Sequence, residues 1–271
     1  MTTSELQLLP IRSTESGLDL KGRKGLVLGA TGGLGQAIVA ELVGHGASLY
    51  VHGLKNDGVL ADLCSRPDVT GSLADLSDAE AVAYLFDQVG DWCSRQLGFL
   101  VFCAGTNPSA AALVDLDLND WDNTMSVNVR GAFLALKHAI PMLRRGDPAK
   151  IVIVSSIFGI EAPTNRAAYA ASKHALNGLV QTVSKEEGGA LHINALCPGP
   201  AWGENVKHIF VEHALTRGVS VEEYTKERSR NIPARRFMEP IEFARTVALF
   251  CSRATDYTNG QCIKVTGGAC Q

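Results

Sequence analysis

The run AAYAASKHAL, residues 167–176, sets Tyr169 and Lys173 four positions apart in an alanine-rich stretch. Leu176, Leu179, Val180 and Val183 follow at the i, i+3, i+4, i+7 spacing of a helix with one buried face. Counted back by sevens, that face begins at Tyr169 and Lys173, so a phenol and an ammonium point where leucines point. A buried ammonium is costly without a partner, which leaves two readings: an accident at a frayed helix start, or a device. As a device for proton transfer the pair has the right sign, because an ammonium one turn along favours the phenolate. Tyrosine titrates near ~10, so acting near neutral pH requires a shift of about three units, about 4 kcal/mol.

A second chemical signature is GATGGLG, residues 29–35, between the apolar run GLVLGA and an amphipathic helical pattern from about Leu34. Gly29, Gly33 and Gly35 permit a tight turn and let backbone N–H groups at a helix start approach a pyrophosphate. The candidate contacts are Gly29, Thr31, Gly32, Gly33, Leu34 and Gly35. No Gly-Lys-Ser/Thr follows, which excludes a Walker-type loop. At the end of the second strand an acid would accept from a ribose 2′-OH and a base would accommodate a 2′-phosphate. That corner reads HGLK, with Gly53 and Leu54 in place of either and Lys55 as the one cation. The apolar Leu54 and the absence of a base at Gly32 favour NAD, with NADP as the alternative. Asp75, ending the third strand beside Leu76, either accepts from an adenine amino group or caps the next helix.

The elements that must position these residues form one rhythm. Continuously apolar runs at 25–30, 48–53, 69–75, 98–105, 150–156 and 192–199 alternate with helical patterns from about Leu34, from about Asp78, at about 119–145 and from 167. This predicts an α/β fold, a parallel sheet covered by helices on both faces in a single domain. Residues 200–238 are polar and mixed, carry two short helical patterns, and precede a last helix at about 240–252. Such an insert is expected to be a substrate-covering lid. Residues 1 to about 18 read as a loose, flexible extension before a domain spanning 19–271.

Composition narrows the partners. In 271 residues, 25 basic and 28 acidic side chains without a long block of either sign announce no nucleic-acid or membrane partner. Seven scattered cysteines without a Cys-x-x-Cys suggest neither a disulfide framework nor a metal site. With no apolar run long enough to span a membrane and no signal-peptide pattern, a cytoplasmic protein is expected.

Taken in order, the motifs resemble those of the short-chain dehydrogenase/reductase family over about residues 22–268. GATGGLG looks like its cofactor loop, CAG (Cys103, Ala104, Gly105) like its fourth-strand end, and SVNVRG like the segment carrying its asparagine, Asn128. SSIFG looks like its serine motif, with Ser156 thirteen residues before Tyr169, and YAASK is its Tyr-x-x-x-Lys. CPGP, with Pro198 and Gly199, looks like its Pro-Gly turn. The resemblance implies a doubly wound Rossmann-type fold and NAD(P)-dependent interconversion of a secondary alcohol and a ketone. In it Tyr169 is the acid/base and Lys173 lowers its pKa, directly or through the cofactor ribose. Ser156 bonds the substrate oxygen, and Asn128 holds a water linking Lys173 to solvent. Tyr169, Lys173, Ala201 and Trp202 join the cofactor contacts, and family members are commonly homodimers or homotetramers built on the helices at about 119–145 and 167–187.

Several positions depart from the family pattern. Leu28 replaces a threonine and Cys103 an asparagine, removing side-chain bonds that brace the cofactor site. Thr266 stands where an aspartate is common. Gly203 stands where a nicotinamide-binding threonine is frequent, leaving Glu204 or Asn205 as substitutes. Candidate substrate contacts are Asn107, Phe158, Arg166, Trp202 and His208, with Lys207 and Phe210 also in the lid. Arg166, one turn before Tyr169, would suit a hydroxy or keto acid. The alternatives are a cofactor-binding regulatory protein without turnover, or a nucleotide-sugar-modifying relative, which would need a longer C-terminal part.

Overall fold

The computed structural model describes residues 18–145 and 149–269; within the lid helix the side chains at 204, 205, 208 and 209 lie outside the described set. The expectations for residues 1–17, Glu204, Asn205 and His208 therefore fall outside it.

Seven strands form one parallel sheet: β1 (Lys24–Leu28), β2 (Ser48–Gly53), β3 (Val69–Leu73), β4 (Phe99–Phe102), β5 (Ala149–Val154), β6 (Leu191–Pro198) and β7 (Cys262–Val265). Their spatial order is β3-β2-β1-β4-β5-β6-β7, with Leu26 beside Tyr50 on one flank and Leu100 on the other. The order reverses between β1 and β4, which opens a crevice beyond the carboxyl ends of these strands.

The strands are apolar throughout because both faces are covered. Leu26, Leu100, Phe102, Ile151 and Ile193 join one core with helices α3 (Ala79–Cys93), α5 (Gly131–Leu143) and α6 (Ala167–Glu186). Val27, Phe99, Val101, Val152 and Leu196 face α1 (Gly33–Gly44), the short α2 (Val59–Cys64) and α9 (Pro240–Cys251). Alternate residues of one strand thus feed two cores, as period-2 geometry requires.

The helix expected at about 119–145 is α4 (Leu118–Met125) continued into α5 through one wide turn at Ser126–Arg130. There the Gly131 N–H reaches back five residues to the Ser126 carbonyl. Helix α3 is capped by Asp78, whose side chain accepts from the N–H groups of Glu80 and Ala81.

The insert carries α7 (Glu204–Arg217) and α8 (Val221–Arg228). Its inner side chains, Phe210, Ala214, Tyr224, Ile232 and Phe237, form a third, separate apolar cluster. The two ends of the insert are stitched together: Trp202 N–H donates to Met238 O (2.7 Å) and Met238 N–H to Pro200 O (3.1 Å). Two elements were not foreseen, α2 and the edge strand β7.

Candidate active site

Helix α6 starts at Ala167, after Asn165 turns the chain with φ +61°. Alanines at 167, 168, 170 and 171 favour the helix and keep its first turns thin. The buried face predicted for it is observed, with Lys173 only 4% exposed and Leu176, Val180 and Val183 beneath it. The Lys173 ammonium donates to the Val154 carbonyl at the end of β5 (3.0 Å) and lies 5.5 Å from the Tyr169 ring centroid. The helix is tied to the strand a second time where Ser155 Oγ donates to Lys173 O (3.3 Å).

Burial dominates the electrostatics here. It brings Lys173 down to about 8, against weak opposition from Cys103 and Cys197. It pushes the Tyr169 hydroxyl up, while a hydrogen bond from Ser156 and the charge of Arg166 act the other way. The expected depression of Tyr169 by Lys173 is therefore not present: the ammonium lies beside the ring, and desolvation outweighs the favourable charges. Burial also raises Cys103 to about 11, so the residue in the asparagine position is a neutral thiol.

Ser156, just past β5, accepts at Oγ from the Phe158 N–H (3.1 Å), which caps a short turn and fixes the hydroxyl toward Tyr169. Phe158 meets the Tyr169 ring edge to face, centroids 6.2 Å apart. Asn128 sits fully buried in the wide turn between α4 and α5. Its Oδ1 accepts from Thr106 N–H (2.8 Å), and its Nδ2 donates to Thr106 O (2.9 Å) and Ser172 Oγ (3.0 Å). The amide thus clamps the loop after β4 to α6. A π-type turn is a recurrent way of aiming one side chain out of helical register. Thr106 as Asn128's partner was not anticipated, since it contributes only backbone groups.

Tyr169 and Lys173 share one cavity of about 230 Å³ with Gly29, Gly32, Gly33, Leu34, Gly35, Cys103, Gly105, Asn107 and Pro198. The loop residues are in close register. A Cβ at Gly29 (φ +82°) would stand 2.5 Å from Ala104 N, and one at Gly35 would stand 2.2 Å from Gly29 O. Gly33, in contrast, has open space above it. Helix α1 begins from Gly32 without a side-chain cap and without an acid in its first turn. Its first residues, Gly33, Leu34 and Gly35, line the cavity, and free N–H groups at a helix start favour an anion, so the residues present fit a dinucleotide pyrophosphate.

Other predicted contacts are distributed as follows. A Cβ at Gly53 would meet Thr31 Cγ2 at 2.7 Å, so that corner is closed down on the loop, while Leu54 is 56% exposed and Lys55 is exposed. Asp75 does not cap α3. Its Oδ1 accepts from Ser77 N–H (2.8 Å) and Ser77 Oγ (2.7 Å), because the capping position of the helix is taken by Asp78, three residues later. Leu76 turns its side chain into the core, leaving only its backbone for a ligand. Gly199 N–H is bound to Val265 O (2.9 Å), and Ala201 bridges to Met238. Trp202 packs inside the lid cluster, 5.5 Å from Phe210 and 5.7 Å from Phe237 between ring centroids, and is not among the residues lining the cleft. Arg166 donates to Pro108 O (2.7 Å) and Asn107 Oδ1 (3.4 Å), which anchors the loop after β4 near Tyr169. Among the described residues no group of three His, Cys, Asp or Glu could hold a metal ion. His52, read in the sequence only as part of the HGLK corner, is buried against the glycine loop.

The sheet order, the uncapped glycine loop at its switch point and the Tyr169–Lys173 pair beside it define a dinucleotide-dependent α/β protein. The comparisons narrow this. A family model described as enoyl-(acyl carrier protein) reductase matches residues 29–270. A chloroplastic tropinone reductase homologue of Arabidopsis thaliana is 31% identical over 92% of this chain and 76% of its own. The rhamnolipids biosynthesis 3-oxoacyl-[acyl-carrier-protein] reductase of Pseudomonas aeruginosa is 30% identical over 92% of this chain and 96% of its own. Among solved structures, the ligand-free aldohexose dehydrogenase of Thermoplasma acidophilum superposes with a TM-score of 0.83 at 26% identity, over 93% of this chain and 96% of that one. The chain belongs to the short-chain dehydrogenase/reductase family, and is an NAD(P)-dependent oxidoreductase of alcohol and ketone interconversion.

Proposed function

We propose that the protein interconverts a secondary alcohol and a ketone with Tyr169 as the proton-transferring group. The observation that carries this reading is that Tyr169 and Lys173 line the cavity of the glycine loop, with Ser156 hydrogen-bonding to Tyr169. When bound there, the nicotinamide supplies or accepts the hydride. Tyr169, held protonated by burial, gives its proton to the substrate oxygen in reduction and recovers it in oxidation. The Ser156 hydroxyl, positioned by the Phe158 N–H, donates to the same oxygen as charge develops. Lys173, brought to about 8, can hold or release a proton close to neutral pH. Asn128 has spent both amide hydrogens on Thr106 and Ser172, so a water linking Lys173 to solvent would use Oδ1.

The corner after β2 offers no acid for a 2′-hydroxyl and no arginine for a 2′-phosphate, and its outermost side chain is the apolar Leu54. This supports NAD over NADP, with Lys55 as the cation available to the alternative. An NADPH-dependent relative, the chloroplastic aldehyde reductase 2 of Arabidopsis thaliana, keeps that alternative in the test. Asn107, Phe158 and Arg166 border the reacting end, and the insert at 200–238 acts as a lid over it. A hydroxy or keto acid is the preferred substrate class, because Arg166 uses one guanidinium nitrogen on the β4 loop and keeps the rest of its fork for a carboxylate. Exposed Leu118 on α4 and Phe133 on α5 support a homodimer or homotetramer through these helices. No helix among the described residues is long and apolar enough to cross a membrane, and a cytoplasmic location is proposed.

The test is nicotinamide absorbance with NAD and NADP in parallel against secondary alcohols, hydroxy acids and their ketones. Tyr169→Phe is expected to lower kcat by about 10²–10⁴ while dinucleotide affinity changes little. Dinucleotide binding without turnover of any substrate would favour a regulatory role instead.

A further inference from the structure

His52 is the penultimate residue of β2, at the start of the cofactor corner, and its imidazole is 2% exposed. The ring makes two hydrogen bonds. Nδ1 accepts from the Gly29 N–H (3.2 Å), and Nε2 donates to Ala74 O just past β3 (2.8 Å). An N–H donor on one side and a carbonyl acceptor on the other define the tautomer: a neutral ring with its hydrogen on Nε2. Burial favours the same form, holding the ring below the usual histidine range. The main chain of His52 adds a third bond, its carbonyl accepting from the Ala30 N–H (2.8 Å). One residue therefore holds two successive amides at the point where β1 becomes the glycine loop.

That point tolerates little displacement. The backbone at Gly29 lies so close to Ala104 that a single added carbon would overlap it, and Gly35 is packed against the Gly29 carbonyl. Rotation of the Gly29 peptide would carry both neighbours with it and re-aim the N–H groups at the start of α1. Leu28 and Cys103, flanking the same junction, bring no strong side-chain hydrogen bond to it.

We propose that His52 is a positioning residue for the dinucleotide: its neutral imidazole fastens the first peptide of the glycine loop to the end of β3, so that the loop amides are preset for the pyrophosphate. The inference rests on the reading of the glycine loop as the dinucleotide site. It assigns the effect to one of the two ring bonds, the one to Gly29.

Two substitutions separate the bonds. In His52→Asn the amide oxygen replaces Nδ1 and can still accept from Gly29, whereas the bond to Ala74 is lost. In His52→Gln the amide nitrogen replaces Nε2 and can still donate to Ala74, whereas Gly29 loses its acceptor. Each variant forfeits one buried hydrogen bond, so a purely structural role predicts the same effect from both. Dissociation constants for NAD and NADP are measured by calorimetry, and amide hydrogen exchange at Gly29 and Ala30 is followed in the dinucleotide-free protein. The expected result is about tenfold weaker dinucleotide binding and faster Gly29 exchange in His52→Gln. In His52→Asn both quantities should stay close to wild type. Equal shifts in the two variants, or none in either, would overturn the proposal, as would an unprotected Gly29 amide in the wild-type protein should the variants fail to fold. Wild-type protein that binds neither dinucleotide would overturn the reading of the loop itself, an outcome distinct from the others.

Discussion

Lys150 and Lys173 are both buried lysines, 1% and 4% exposed, and both touch β5, one at its start and the other at its end. Lys150 has a carboxylate, Asp256 Oδ1, at 2.7 Å and His192 Nδ1 at 3.0 Å. Lys173 has a carbonyl, an aromatic ring and two cysteines held as neutral thiols around it. Burial lowers the affinity of both for a proton, but only at Lys150 does an adjacent carboxylate oppose it strongly. The two ends of the sheet therefore treat a buried ammonium in opposite ways. At the amino ends of the strands an ammonium is neutralised where it stands. At the carboxyl ends the fold bears an unpaired one, which is a cost to stability that only a use in chemistry explains.

The largest expected effect tests that division directly. Lys173→Met should lower kcat by about 10²–10⁴ without lowering the thermal midpoint at neutral pH, because the uncompensated charge leaves with the side chain. A large loss of stability with activity retained would reverse the roles assigned to the two lysines.

The next effect makes the paired lysine resemble the unpaired one. Asp256→Asn removes the carboxylate but keeps the shape, stranding the Lys150 ammonium with His192 as its remaining partner. Breaking a fully buried pair costs about 3–5 kcal/mol. Asp256 is 38% exposed and water reaches that side, so about 2–3 kcal/mol is expected in a denaturant titration. The kcat should be unaffected, because the cluster lies at the end of β5 remote from Ser156. A neutral outcome would mean that the Lys150 charge was already satisfied by water, and the contrast between the two lysines would disappear.

The same contrast shows which parts were legible in the sequence. Lys173 could be singled out because its neighbours, Tyr169, Leu176 and Val180, lie on the same helix and betray the buried face by local periodicity. The strands were legible for a similar reason: two covered faces make each an uninterrupted apolar run. Lys150 drew no notice, since its partner Asp256 is remote in sequence and follows α9. His52 was read only as part of a cofactor corner, because its role depends on three strand ends meeting. Strand β7 was missed because its four residues, CIKV, are short, edge-placed and interrupted by a lysine; α2, six residues after Gly58, is too short to show a period. The Tyr169 shift was anticipated with the wrong sign. Helical spacing gives the separation of two groups along an axis, but not the depth of burial that decides their titration.

The smallest effect concerns the pH dependence of stability, and its sign follows from Lys173 alone. Folded, the ammonium titrates at about 8; in the unfolded chain it titrates near ~10.4. Between these values the unfolded chain binds more protons, so stability rises with pH across that window. Below pH 8 the full penalty is present, and a depression of this size corresponds to roughly 3 kcal/mol at most. Lys173→Met abolishes the term but leaves the Val154 carbonyl without its donor, which returns about 1–3 kcal/mol. The net gain at pH 7 is therefore expected to be small, about 1 kcal/mol, and the informative quantity is its change with pH. In paired denaturant titrations the variant's advantage should shrink from pH 8, vanish near pH ~9 and be reversed by pH 10, where wild-type Lys173 is largely neutral and still bonded to Val154. An advantage constant over that range would mean that Lys173 is no more strained by its charge than Lys150, and that the carboxylate at Lys150 is not what separates the two.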